Sequence, residues 1–312
     1  MSELINGILE DDPAPPTPSE TTGIALGAGA YLIWGFMPLY WRLLGPMPTI
    51  ELTTHRLFWC ALVVTAATLM RGRARDILAI LRDARRLGGL ALSSLLITAN
   101  WTLFIYSVEN HRLVEAALGY YTTPLVSIAL GLAFLGERLS RLRLFAIALA
   151  LVAVVAQTVA LGHFPWLALS LSLTFGFYGY LRKLIPVDAL DGLTVETCLF
   201  LPLTAALVAW WGFSGTGLFP RFGLSRDIIL IFGGVMTSVP LALFAASARR
   251  VRMTTLGFLQ YLSPSITLIV ATVGLGEPFT PVNAISFACI WTALIIVSAE
   301  GQISRLALRR QV

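Results

Sequence analysis

The feature that most constrains this chain is a succession of apolar stretches, each near 20 residues, separated by short polar breaks. An α-helix rises about 1.5 Å per residue, so about 20 apolar residues cross the hydrocarbon of a bilayer. Ten stretches reach that length, at approximately 24–44, 49–70, 87–108, 113–135, 141–160, 166–184, 193–212, 228–248, 254–275 and 281–299. The breaks are Gly45-Pro46-Met47-Pro48, the Arg-rich 71–86, Gly162-His163-Phe164-Pro165, Gly215–Pro220 and Glu277-Pro278, all rich in helix-ending residues. Only 12% of residues are charged, against about 25% in a soluble domain. So little polar material cannot cover a water-facing surface. The expected fold is therefore an all-α integral membrane protein of ten transmembrane helices, whose charge of +5 reports orientation rather than nucleic-acid binding.

The segment Arg112–Leu139 returns 140 positions later. Arg112 meets Arg252, Tyr121 meets Tyr261, Pro124 meets Pro264, and Gly136-Glu137 meets Gly276-Glu277. Several kinds of match at one offset indicate a duplicated unit. A tandem copy of a five-span unit enters the membrane upside down, and the charges agree. Arg138, Arg141 and Arg143 follow the fourth span, whereas Pro278, Pro281 and Asn283 hold the corresponding places after the ninth. The expected organisation is a first repeat at 24–160 and a second, inverted repeat at 166–299. Inverted repeats typify secondary transporters, with the solute site near the bilayer midplane where the repeats meet.

Seventeen of the 22 Lys and Arg residues fall in the loops at 71–86, 138–143, 182–183 and 249–252 and in the C-terminal tail. Four (Arg42, Arg112, Arg221, Arg226) lie in the opposite loops. The positive-inside rule then puts both termini in the cytoplasm. Residues 1–23 are acidic and proline-rich without Lys or Arg, unlike a signal peptide, and read as a disordered cytoplasmic tail. Residues 300–312 read as a basic cytoplasmic tail. Cys60, Cys198 and Cys289 each sit inside an apolar span and read as small core residues.

Ionisable or amide groups inside a span are costly unless they face protein or a wet cavity. His55 and Arg56 in the second span are candidates for a cavity wall, His55 as proton carrier and Arg56 as anion partner. They could equally be interfacial anchors. Glu51 shares the face of His55 but lies near the boundary. Asn100 and Trp101 in the third span are further cavity candidates, and Asn100 could instead bond one helix to another. Tyr121 beside Pro124, and Gln260 and Tyr261 beside Pro264, complete the candidate cavity. A midspan proline removes a backbone bond, so Pro124 and Pro264 read either as hinges or as structural kinks. Glu137 and Glu277 read as structural caps on the amides of the helix that follows each. Ser140 and Thr280 are placed to N-cap those same helices. Nucleotide-binding, metal and acyl-transfer motifs are absent, so no cofactor or metal is expected.

These residues carry a resemblance. Tyr31-Leu-Ile-Trp-Gly35, Thr54-His55-Arg56, Asn100-Trp101, Glu115-Ala-Ala-Leu-Gly-Tyr-Tyr121 with Pro124, Leu135-Gly-Glu-Arg-Leu139, Phe177-Tyr-Gly179 with Arg182-Lys183, and Leu256-Gly-Phe-Leu-Gln-Tyr261 with Pro264 resemble the RarD branch of the EamA, or drug/metabolite transporter, superfamily. The resemblance spans about 24–300. It implies ten helices in two EamA repeats and transport of a small solute across the inner, plasma membrane. It supplies neither a substrate nor settled functional residues. The expectation is a secondary transporter of a small polar or amphipathic metabolite, with solute and lipid bilayer as partners and a homodimer left open. The competing readings are a membrane-embedded enzyme using His55 and Glu115, and a non-transporting membrane partner.

Overall fold

In hydrocarbon every backbone N–H and C=O must find an internal partner, which favours helices. The computed structural model describes residues 18–309 apart from 46, 111, 222, 271–272 and 274–280. Among the described residues every regular element is a helix: α1 Pro18–Leu44, α2 Thr49–Met70, α3 Ala74–Arg82, α4 Ala84–Glu109, α5 Leu113–Leu135, α6 Arg141–Leu161, α7 Trp166–Leu184, α8 Ala189–Ser214, α9 Leu224–Ala248, α10 Met253–Gln260, α11 Leu262–Ile269 and α12 Pro281–Arg309. Glycines in the left-handed region end α5, α6 and α8 (Gly136, φ 62°; Gly162, φ 74°; Gly215, φ 72°), where a side chain would be strained.

Seven helices (α1, α2, α4, α5, α6, α8 and α9) are long and apolar enough to cross a membrane. The others depart from the simple pattern for visible reasons. Arg182 and Lys183 occupy the last turn of α7. The helical hydrogen-bond pattern lapses at Tyr261 alone, between α10 and α11, and the Tyr261 backbone itself stays helical (φ −65°, ψ −15°). In α12 the apolar stretch is Ala284–Val297. Large apolar side chains face outward, and α6 alone exposes Leu144, Phe145, Leu151, Val152, Val155 and Val159. Such a face suits lipid.

Other expectations also shift. Helix α1 begins at Pro18, so residues 18–23 leave the expected tail. A Cβ on Gly23 would lie 2.6 Å from Arg250 Cβ, so this first turn packs against the chain after α9. Helix α12 runs to Arg309, through most of the expected basic tail. The Arg-rich 71–86 contains α3, which tucks Ile80 and Ile77 against Leu90, Ile185 and Val195.

The packing has an internal order. Helix α1 packs on α9 as α4 packs on α7, and α5 packs on α7 as α10 and α11 pack on α1. Three further pairs, α2 with α8, α5 with α10 and α6 with α12, join elements that occupy equal places in the two copies. Each of these three runs antiparallel. Along α2, His55 meets Trp211, Thr65 meets Cys198 and Thr68 meets Thr194. Glu137, just past the end of α5, meets Met253 at the start of α10, while Ser127 meets Gln260 at the end of α10. Gln157 near the end of α6 donates to Ser286 near the start of α12, at 3.1 Å.

Candidate functional site

A cleft of about 10 Å³ lies among α2, α4, α7, α8 and α9, close to the minimum that holds one water. Its polar lining is Ser94 and Thr98 from α4, Tyr178 from α7, and Glu196 and Thr197 from α8. Trp101 lies along the same face of α4. The Arg56 guanidinium stands 5.4 Å from the Trp101 ring centroid and its Nε reaches Thr237 Oγ1 at 3.4 Å. On the other side, Glu196 accepts a hydrogen bond from Ser93 and lies 3.5 Å from Arg182 Nη1. Arg182 also donates to the Ala189 carbonyl at 3.1 Å. One oxygen of a cleft-lining residue, Thr98 Oγ1, is buried without a hydrogen-bond partner.

An aromatic cluster forms the wall behind this cleft. Tyr178 stacks on Phe244 (5.7 Å, 13°), and Tyr31, Trp34 and Phe175 pack edgewise or tilted around Phe244. These rings come from α1, α7 and α9, so both copies supply them.

The residues expected to share one cavity do not all meet. Arg56 and Trp101 do. His55 is one residue from Arg56, about 100° around the helix, and faces elsewhere. It is 1% exposed and boxed by Trp211 (6.4 Å) and Phe219 (5.1 Å) beside the loop after α8. Glu51, one turn away, accepts from the Leu218 N–H at 2.7 Å, so this face anchors a loop. Asn100 donates to the Leu171 carbonyl (2.8 Å) and to Thr174 Oγ1 (3.0 Å), bonding α4 to α7. Gln260 pairs with Ser127 across the α5–α10 crossing at 3.0 Å. Tyr121 and Tyr261 pack with Ala150, Ala153 and Ile290 of α6 and α12.

Helix α5 runs unbroken through Pro124. Pro264 sits in the first turn of α11, just past the lapse at Tyr261. Glu137 caps a helix, but not the following one. Its two oxygens accept from Met253 N (2.6 Å) and Thr254 N (2.9 Å) at the start of α10, while Ser140 caps α6 through Arg143 N (3.2 Å). Gly136 turns the chain sharply enough that Glu137 crosses to the other copy instead of continuing along its own. Glu277 and Thr280 lie outside the described residues. Glu115, the acid of the competing enzyme reading, accepts from Leu167 N (2.8 Å) at the start of α7 and pairs with Arg112 (2.6 Å).

The group that sequence reasoning left unassigned is Glu196. Its partners come from Ser93, 103 residues away, and from Arg182 across the α7–α8 turn. The available signal was a lone acid inside an apolar span, which by cost alone marks a candidate site.

The EamA-like transporter family matches over residues 21–158. A Vibrio cholerae protein named an uncharacterized transporter is 38% identical over 288 residues, 92% of this chain and 95% of its own. Protein RarD of Salmonella typhi is 39% identical over 274 residues, covering 88% of this chain and 93% of its own. Protein RarD of Escherichia coli K12 is 38% identical over 274 residues with the same coverage. A solved crystal structure has a TM-score of 0.67 at 18% identity, covering 90% of this chain and 98% of that one, a likeness of fold alone.

Proposed function

The chain belongs to the EamA-like transporter family, among the RarD proteins, and from that premise we propose that it is a secondary transporter moving a small polar or amphipathic metabolite or drug across the bacterial inner membrane. It works by alternating access of two inverted five-helix halves, 24–160 and 166–299, as ten transmembrane helices with both termini cytoplasmic. The observation that carries this reading is the cleft. Leu57, Ser94 and Thr98 reach it from the first half and Tyr178, Glu196 and Leu241 from the second, so a rocking of one half against the other opens or closes it. The antiparallel pairing of matched segments supports the inversion. In this scheme Arg56 and Trp101 bind solute, His55 and Asn100 hold the surrounding framework, and the lapse at Tyr261 gives the second half its hinge.

The test compares metabolites inside cells and in the medium for a deletion strain and its complemented parent. The solute so found is then followed into proteoliposomes. Arg56→Gln and Trp101→Ala are expected to lower its flux by about tenfold or more at equal reconstituted protein, the loss of one or two charge-assisted contacts. Unchanged metabolites, or unchanged flux in both variants, would sink the proposal.

A further inference from the structure

Glu196 differs from the other buried acids of the chain. Glu51, Glu115 and the half-buried Glu137 each accept from backbone amides near helix ends, Asp227 stands in the first turn of α9, and Asp191 is held by Arg73 at 2.6 Å. Glu196 is 2% exposed and meets side chains: Ser93 donates to one oxygen, Arg182 lies 3.5 Å from that same oxygen, and the Tyr178 hydroxyl also hydrogen-bonds the carboxylate. It is also the one carboxylate that lines the cleft. The Arg182 side chain, fully covered, lies in a slot made by Gly192, one turn before Glu196, where a Cβ would be 2.1 Å from Arg182 Nη1. The chain thus builds a place for a guanidinium beside a carboxylate in its interior, yet leaves Arg182 Nε and Nη1 without a hydrogen-bond partner. A pair kept for stability alone is poorly served by that geometry, because a buried pair offsets its desolvation only when its remaining hydrogen bonds are made.

We propose that Glu196 is the proton-binding site of the transport cycle, with Arg182 as the internal counter-charge that keeps the cleft shut while Glu196 is ionised. The proposal rests on the transport reading above. When the cleft meets water on one side, a proton from that side neutralises Glu196. Arg182 then loses its attraction, and α7 and α8 separate at Gly192. When the cleft meets the other side the proton leaves, and the pair re-forms around the emptied site. The surrounding groups leave this titration to Glu196. From α7 come Arg182 and Tyr178, from α2 Cys60, and from α8 itself Cys198. The groups from α4 and α9, Ser93, Ser94, Thr98 and Leu241, do not titrate. Phenols and thiols ordinarily ionise on the alkaline side and guanidinium stays charged, so the acid response of this shell belongs to the carboxylate.

The experiment needs no knowledge of the solute. The full chain carrying Cys198→Ala and Cys289→Ala retains Cys60 as its sole thiol. Cys60 is fully buried, one turn along α2 from the cleft-lining Leu57 and in one apolar cluster with the cleft residues Tyr178, Leu193 and Leu241. Its labelling by N-ethylmaleimide in liposomes, divided by the rate for free cysteine at the same pH, reports opening. We expect labelling about tenfold faster in mildly acidic than in mildly alkaline buffer, as a shifted two-state equilibrium gives. In Glu196→Gln, which imitates the protonated acid, it should be fast at both. In Glu196→Asp the response should persist at a displaced pH. Wild-type labelling indifferent to pH, or a wild-type response retained in Glu196→Gln, overturns the proposal. Should Glu196→Gln fail to fold, Glu196→Asp decides: a response at the unaltered pH overturns it. A solute moved without any pH effect on Cys60 removes Glu196 and keeps the transporter. A pH-gated Cys60 in a strain whose metabolites never change does the reverse.

Discussion

The two copies of the proline-centred unit, α5 and the α10–α11 pair, share spacing but not shape. Pro124 lies inside an unbroken 23-residue helix, whereas in the second copy the helical hydrogen-bond pattern lapses at Tyr261, three residues before Pro264, with the backbone there still helical. A proline cannot donate to the carbonyl four residues back and its ring crowds that carbonyl, so both copies face the same fault. The first stays helical through it. Thr122 and Thr123 donate to the Leu118 and Gly119 carbonyls, at 2.9 and 2.7 Å, and neither reaches the Tyr120 carbonyl that Pro124 leaves without its donor. In the second copy Leu262 replaces Thr122, while Ser263 keeps a hydroxyl at the place of Thr123.

The helix crossings differ in the same instructive way. Gly119 of α5 meets Ala168 of α7, where an added Cβ would lie 3.1 Å from the Ala168 carbonyl. At the equivalent crossing Leu259 of α10 meets Gly27 of α1, with Leu259 Cδ1 only 2.9 Å from a Cβ built on Gly27. The large and small partners have changed sides. The largest effect we predict follows from this. Gly119→Leu, which imposes the second copy's residue on the first, should cost about 3 kcal/mol or more by overpacking. Adding Ala168→Gly, to complete the exchange, should recover about 1–2 kcal/mol, the coupling expected of residues in contact. Thermal unfolding in detergent micelles measures both. A double variant no better than the single would show that the two crossings are not equivalent.

The carboxylate that links the copies gives the next effect. Glu137→Ala removes a charged acceptor from two amides of α10 and should cost about 2–3 kcal/mol. Ser140→Ala, which uncaps α6, should cost about 1 kcal/mol. Chemical denaturation of the two variants checks the order. The reverse order would mean that Glu137 serves its own copy after all.

That order could not be read from the sequence, and the reason is general. Apolar length, the 140-residue offset and the loop charges depend on neighbours in the chain, so they showed in the sequence. The amphipathic α3 was readable too, since Ile77, Ile80 and Leu81 recur at helical spacing, but the arginines around it obscured the pattern. Glu137 was recognisable as a cap, yet its target depends on how Gly136 turns the chain. His55 and Arg56 look alike in sequence, but a rotation of 100° sends one to an aromatic box and the other to Trp101. Glu196 gained its meaning only when α4 and α7 were folded against α8.

The smallest effect bears most directly on function. Pro124→Ala restores a donor for the Tyr120 carbonyl in a helix that is already continuous, so we expect a gain below about 1 kcal/mol. Pro264 lies in the first turn of α11, where its missing N–H has no intrahelical partner to lose. Pro264→Ala should therefore change stability by about 0.5 kcal/mol or less, since the loosened unfolded chain roughly offsets any bond gained. What it should change is local: residue 264 regains a donor for the Gln260 carbonyl, α10 and α11 can join, and exchange of the Tyr261–Ser265 amides should slow by about tenfold. If the lapse is a working hinge, solute flux falls in Pro264→Ala while Pro124→Ala leaves it near the parent's. If flux survives the joined helix, the lapse is an accident of packing, and the motion of the second half must arise at the α7–α8 turn beside Arg182 instead.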